Sequence, residues 1–153
     1  MLRKANENDI PQLGVLFRQL HEHHIKIAPD SHKMPFEGYF EMKLRTLFEE
    51  GMQIFTEELD GTLLSYAAVS IFERERAERT YAKILYIEHF TVAESAQRKG
   101  CGKRLFGFLK NYAKENGCDL IQLGAAAKNA EALRFYESMG MTPRTIRLEL
   151  NLT

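Results

Sequence analysis

The sequence predicts an α/β (α+β) fold, a single mixed sheet flanked by helices. Three observations predict it. Apolar stripes at helical spacing run through Ile10 to Leu20 and through Leu105 to Tyr112. Asp60-Gly61 separates two runs that read as strands, and Asp-Gly favours hairpins because their turns need positive φ. Ala82 to Val92 is a long run that is apolar on both faces, as an interior strand would be.

The elements follow in order. Leu2 to Ala5 is a short first strand. Asn8 or Asp9 can cap a helix with Pro11 in its first turn, where a missing N–H costs little. Ile10, Leu13, Leu16, Phe17 and Leu20 form its stripe, and it should end between His24 and Pro29. After a loop marked by Pro29, Asp30, Ser31 and Pro35, a second helix is expected over 36–49. Gln53 to Thr56 and Leu63 to Phe72 are the hairpin strands, and Glu73 to Arg79 is a solvated turn. Ala82 to Val92 is placed centrally. A helix over 102–116 buries Leu105, Leu109 and Tyr112, backed by Phe106 and Phe108, and stops at Gly117. Leu120 to Ala126 reads as a buried strand. Asn129 caps a helix that runs to Met139 and stops at Gly140. Ile146, Leu148 and Leu150 alternate with polar residues in a last strand. The order is β-α-α-β-β-β-α-β-α-β.

At 153 residues the chain suits one domain, 1–153. With 44% hydrophobic and 27% charged residues it has the composition of a globular protein. Twenty-one Lys and Arg balance 21 Asp and Glu. A protein that grips nucleic acid would usually carry a basic excess, so no nucleic-acid partner is expected. No apolar run approaches the roughly 20 residues of a membrane span, and the first residues lack the apolar core of a secretory signal. Cys101 and Cys118 form no metal or redox spacing, so reduced thiols in a cytoplasm are the expectation.

Between the long strand and the following helix lies Gln97-Arg98-Lys99-Gly100-Cys101-Gly102-Lys103-Arg104. A strand-turn-helix junction aims unpaired N–H groups at one point, and the helix dipole adds partial positive charge. Gly100 and Gly102 carry no Cβ, so an anion can approach the main chain. Arg98, Lys99, Lys103 and Arg104 add charge with no acidic residue among them. Charge-assisted hydrogen bonds at roughly 1.5–3 kcal/mol each could hold a pyrophosphate. It is not a Walker loop, which needs Gly where Gln97 stands and Ser or Thr where Arg104 stands. Nor is it the dinucleotide fingerprint, which needs Gly at Leu105.

Gln-x-x-Gly-x-Gly after a long strand resembles the acyl-CoA signature of the GNAT superfamily of N-acetyltransferases. The resemblance extends upstream through Tyr86 to Val92. Downstream, Asn129 to Met141 is similar to that family's Asn-x-x-Ala-x-x-Phe-Tyr-x-x-x-Gly-Phe segment, with Met141 in place of the usual Phe. It implies a mostly antiparallel central sheet and transfer of an acetyl group from acetyl-CoA to an amine. It also implies main-chain amides from Arg98 to Lys103, with Cys101 at the variable position, on the pyrophosphate, and Gln97 shaping the turn. Phe90, Thr91 and Val92 would meet the pantetheine amides and the thioester oxygen, on a strand that splays from its neighbour. Asn129 would be a CoA contact as well as a cap, and Tyr136 would donate to the departing thiolate. A homodimer through the last strand could form, as in relatives.

Glu88 is the candidate base. It is an acid within the otherwise apolar Ile84-Tyr86-Glu88-Phe90-Val92 face, where a carboxylate is costly unless hydrated or paired with an Arg. It would take a proton from the incoming ammonium, directly or through water. His89 would point to the other face. His21, His23, His24 and His32 gather near the first helix end, but a solvated helix end is the default there and no metal is expected. In proteins that look alike this region lines the acceptor pocket, where Glu22 and Asp30 could attract a cation. The acceptor expected is a small-molecule primary amine of polyamine or amino-sugar type. The alternatives are a peptide N-terminus or lysine, or a CoA-binding module without turnover.

Overall fold

In the computed structural model, which describes residues 1–153, five strands follow one another across one sheet in chain order. They are β1 (Leu2–Lys4), β2 (Gln53–Leu59), β3 (Thr62–Glu73), β4 (Lys83–Val92) and β5 (Leu120–Leu123). The first three pairings are antiparallel, and β4 with β5 is parallel, so the sheet is mixed and mostly antiparallel. Parallel neighbours need a crossover, which α3 (Cys101–Glu115) supplies. β3 is the middle strand, and β4 is interior beside it.

Alternation along β3 divides the core. Tyr66 and Ala68 face one apolar cluster, Ala67 and Val69 the other. On the first face, α1 (Ile10–Ile27) and α2 (Tyr39–Glu49) bring Leu13, Leu16, Phe17, Phe40, Leu44 and Leu47 onto the sheet. On the second, α3 buries Leu105, Phe106, Leu109 and Ala113. α4 (Ala130–Ser138) leans its Phe135 and Tyr136 on this cluster but buries none of its residues.

The start of α1 is braced locally. A 3₁₀ turn, Glu7–Asp9, is capped reciprocally by Asn6 and Asp9, and Asp9 also takes two hydrogen bonds of 2.9 Å from Arg3. Asp9 occupies the cap position of α1 and Pro11 lies in its first turn. The second helix begins at Tyr39, three residues later than the pattern predicts. Gly38 ahead of it has φ of +84°, a left-handed conformation outside the helix.

Three expectations need correction. First, β5 is a half-buried edge strand that ends at Leu123, with Gly124 to Ala126 outside it. Its apolar run reflects cover from one face and one neighbour only. Second, a β-bulge interrupts β4. Ala68 opposes His89 and Val69 opposes Ile87, so Glu88 is the extra residue. Ile87 and Phe90 therefore reach the same cluster, and the single face predicted from Ile84 to Val92 does not run through Glu88. Third, the last strand is absent. Residues 141–153 form no regular element, and Ile146, Leu148 and Leu150 are exposed. Alternation prepares a segment for pairing, but a strand exists only beside another strand. No helix is long and apolar enough to cross a membrane.

Candidate functional site

β4 outruns its parallel neighbour. Pairing with β5 ends at Ile87 opposite Leu123, while β4 continues to Val92. On the β3 side, Phe90, Thr91 and Val92 oppose Ala67, Tyr66 and Ser65. On the other side they have no strand neighbour, so main-chain groups there are open to a ligand.

Immediately beyond, the chain turns into α3. Arg98 has φ of +63° and Gly100 +81°, two left-handed residues close together. Such a turn directs successive N–H groups to one side. The first hydrogen bond of the helix runs from Arg104 N–H to Gly100 O at 3.0 Å. The amides from Arg98 through Lys103 have no main-chain acceptor. Arg98, Lys99 and Lys103 are exposed and make no ion pair. Six free donors, a helix start and three uncompensated cations suit a pyrophosphate. Gln97 is extended and exposed at the turn's entrance.

The two glycines differ in role. At Gly100 the positive φ is the requirement. Gly102 is helical, and a Cβ there would meet the Phe135 ring at 3.3 Å and Val92 Cγ2 at 3.6 Å. Its missing side chain lets α3 approach α4 and the end of β4, a packing reason beside the predicted access for an anion.

Arg104 is not a fourth free cation. Its Nε donates to Glu57 Oε1 of β2 at 2.9 Å, and Nη1 donates to Lys99 O at 3.0 Å. Nη2 lies 3.1 Å from the buried Cys101 Sγ. The Glu57 hydrogen bond raises the guanidinium pKa further. Glu57 is mostly buried, and its Oε2 has no partner. This clamp ties the turn to the sheet. Sequence reading missed it because 47 residues separate the pair; the only signal was the acidic pair Glu57-Glu58 that follows the apolar residues of β2.

Tyr136 lies across the gap on α4. Its ring is 5.9 Å from Phe90 and 5.3 Å from Phe135, edge to face with both. Burial pushes its phenol up to about 12, so it is protonated at neutral pH. Asn129 is buried and caps α4 through Oδ1, which accepts from Ala132 N–H at 3.1 Å. Phe90, Gly102, Phe135 and Tyr136 are thus brought together, with Asn129 at the start of the same helix.

Glu88 stands on the bulge, exposed and without an ion pair, so its carboxylate is hydrated. His89 turns to the opposite layer, its ring 4.4 Å from that of Phe17 and tilted 51° to it, with Nδ1 3.0 Å from the Tyr66 hydroxyl. Burial drives its pKa down to about 4, with Lys43 and His24 adding repulsion. The histidines near the α1 end pack on one another, His32 lying 5.9 Å from His21 and 5.6 Å from His24. No group of three or more His, Cys, Asp or Glu converges to hold a metal. Glu22 is occupied by Arg18 at 3.1 Å, and Asp30 is exposed. A cavity of about 490 Å³ between α1 and α2 instead presents Glu37, Glu41, Arg18 and Phe36.

Residues 17–141 match the model of the acetyltransferase (GNAT) family, and the chain belongs to that family. An uncharacterized N-acetyltransferase from the pepI 3' region of Lactobacillus delbrueckii subsp. lactis is 29% identical over 85 residues, 56% of this chain. The match spans about half of that relative's length (49%). A mutant of the BH1408 protein from Bacillus halodurans has the same fold, with TM-score 0.90 and 22% identity over 100% of this chain and 99% of that one. The aminoglycoside N-acetyltransferase AAC(6')-Iy, solved in complex with CoA, superposes with TM-score 0.75 at 16% identity, covering 98% and 93% of the two chains.

Proposed function

We propose that the domain formed by residues 1–153 is an acetyl-CoA-dependent N-acetyltransferase whose acceptor is a small-molecule primary amine of polyamine or amino-sugar type. One observation carries the reading: a row of unpaired amides, Arg98 to Lys103, lies at the end of a strand that has lost its neighbour. The aminoglycoside enzyme of the same fold supports the choice of acceptor.

In this reading, Arg98, Lys99, Gly100, Cys101, Gly102 and Lys103 hold the pyrophosphate through their amides, with Gln97 shaping the entrance. The open side of Phe90, Thr91 and Val92 pairs with the pantetheine amides and polarises the thioester carbonyl. Asn129 borders the cofactor at the start of α4. Glu88, directly or through a water, accepts a proton from the ammonium, whose ordinary pKa is near 10. The amine nitrogen then bonds to the thioester carbon, the carbon–sulfur bond breaks with the electron pair leaving on sulfur, and the second proton that the nitrogen must shed to become an amide passes to solvent. Tyr136 donates a hydrogen bond to that thiolate. No step calls on a metal. Two free thiols, Cys101 and Cys118, support a reducing, cytoplasmic setting.

Thiol release from acetyl-CoA across a panel of polyamines, amino sugars, peptides and lysine derivatives tests this. Turnover with a small amine is the expected result. Turnover only with peptides would replace the acceptor, and none with any amine would leave a binding module.

A further inference from the structure

Resting on the acetyltransferase reading, we infer that the side chains of His89 and Lys43 grip a hydroxyl oxygen beside the reacting amine, so that the acceptor is a hydroxyl-bearing amine of amino-sugar type and not a polyamine. The bulge in β4 creates the arrangement. Ile87 and Phe90 both reach the α3-side cluster, so Glu88 and His89 fall consecutively between them. His89 opposes Ala68 and is carried into the layer of α1 and α2. The strand edge beside it has lost β5, since that pairing stops at Ile87 opposite Leu123. A molecule in the gap is within reach of both layers. With the acyl donor against Phe90 and Tyr136, the layer of His89 is left for the acceptor.

The imidazole is tied on one side and open on the other. Tyr66 is fully buried, which raises its phenol well above the ordinary range and keeps it protonated. Its hydroxyl therefore donates to His89 Nδ1 at 3.0 Å. A neutral imidazole that accepts at Nδ1 carries its proton on Nε2. The Tyr66 bond is the only one the His89 side chain makes within the chain, so Nε2–H has no protein acceptor. Nor is it sealed in, because the buried side-chain polar atoms left without a partner are Glu57 Oε2 and Ser65 Oγ. A half-buried residue thus offers one N–H to whatever enters the gap, its ring held 4.4 Å from that of Phe17.

The surrounding charge decides what that donor can receive. The titratable neighbours that act on His89 are Lys43 of α2 and His24 of α1, both basic. Lys43 is half-buried and makes no ion pair. Carboxylates of the two helices are engaged elsewhere: Glu22 pairs with Arg18 at 3.1 Å, and Glu41 lies against Gly14 in the groove between α1 and α2. Glu88, the acid on the bulge, is taken by the reacting amine. A second ammonium, which every polyamine carries, would meet repulsion from Lys43 with no free acid to offset it. A hydroxyl oxygen instead meets two donors, one neutral and one charged.

Steady-state kinetics on the full chain, with acetyl-CoA and a matched pair of amines, tests the inference. Cyclohexylamine and trans-2-aminocyclohexanol differ by one hydroxyl and are compared at equal free-amine concentration. The wild type should favour the hydroxylated amine in kcat/KM by roughly tenfold, the scale of one directed hydrogen bond. His89→Phe keeps a ring against Phe17 and loses the N–H, while Lys43→Met loses the ammonium; each should erase most of the preference through a higher KM for the hydroxylated amine. Lys43 has no ion-pair partner to abandon, so its variant decides the matter even where His89→Phe fails to fold. Equal kcat/KM for the two amines in the wild type overturns the inference. So does a preference that survives substitution, and so does spermidine turned over faster than glucosamine. Absence of turnover with every amine fails the acetyltransferase reading itself, and this inference with it.

Discussion

Tyr136→Phe removes one oxygen and leaves the ring that packs on Phe90 and Phe135. Full proton transfer from a phenol at about 12 to a thiolate near 8.5 is uphill by roughly 3.5 units, about 5 kcal/mol. Tyr136 therefore acts as a hydrogen-bond donor that stays protonated. A hydrogen bond to a charged partner contributes about 1.5–3 kcal/mol. That bond is made only as the thiolate forms, so its loss falls on kcat, by roughly 10- to 150-fold. Steady-state kinetics with a saturating amine, beside calorimetry of acetyl-CoA, reads both quantities. Cofactor affinity should move less than about threefold, well under one decade of 1.4 kcal/mol. With the phenol at about 12, no basic limb of the wild-type profile near pH 9 or 10 should be traceable to this residue. A variant with wild-type kcat, or an equal loss in affinity, would refute the assignment.

Three further outcomes are expected. Gly100→Asp puts a Cβ at φ +81° and 3.0 Å from Arg104 Nη1, and adds a negative charge where the pyrophosphate should sit; calorimetry should detect no acetyl-CoA binding, and unchanged affinity removes the turn from the site. Glu57→Ala releases Arg104 from β2, and with it Lys99 O and Cys101; the Kd for acetyl-CoA should rise about tenfold with kcat retained, the order expected for one lost charge-assisted bond, Glu57→Gln should restore part, and equal affinities would make the clamp irrelevant. His89 titrates near 4 when folded and near 6.5 when unfolded, so below pH 6.5 the unfolded chain binds the extra proton. Stability should fall as pH drops from 6.5 toward 4, by up to about 3 kcal/mol, and level off below. Urea melts should show a smaller fall in His89→Phe, and identical slopes would contradict the burial argument.

How much of this was legible depends on whether a feature is local. The α3 stripe, the Asp60-Gly61 turn and the glycine stops are written within a few neighbours; β3, α3 and α4 formed within a residue of expectation, while β2 runs three residues past Thr56 to Leu59. The turn from Gln97 to Lys103 was readable for the same reason: its glycines and cations are contiguous. Three features were not readable. The bulge at Glu88 is decided by how β4 registers against β3, some 20 residues away. The Glu57–Arg104 clamp exists only because β2 and the start of α3 are neighbours in space. Ile146 to Leu150 has the period of a strand, and period alone does not supply the edge a strand must lie against.

Where β4 runs on past Leu123 it presents an adhesive border, the kind of surface that invites other polypeptides to stick. In the reading offered above, the pantetheine chain of the acyl donor, with its two amides, would lie along that border like a borrowed ribbon. The donor would then complete the architecture as well as feed the reaction. Protein stored without it should clump sooner than protein kept saturated with it.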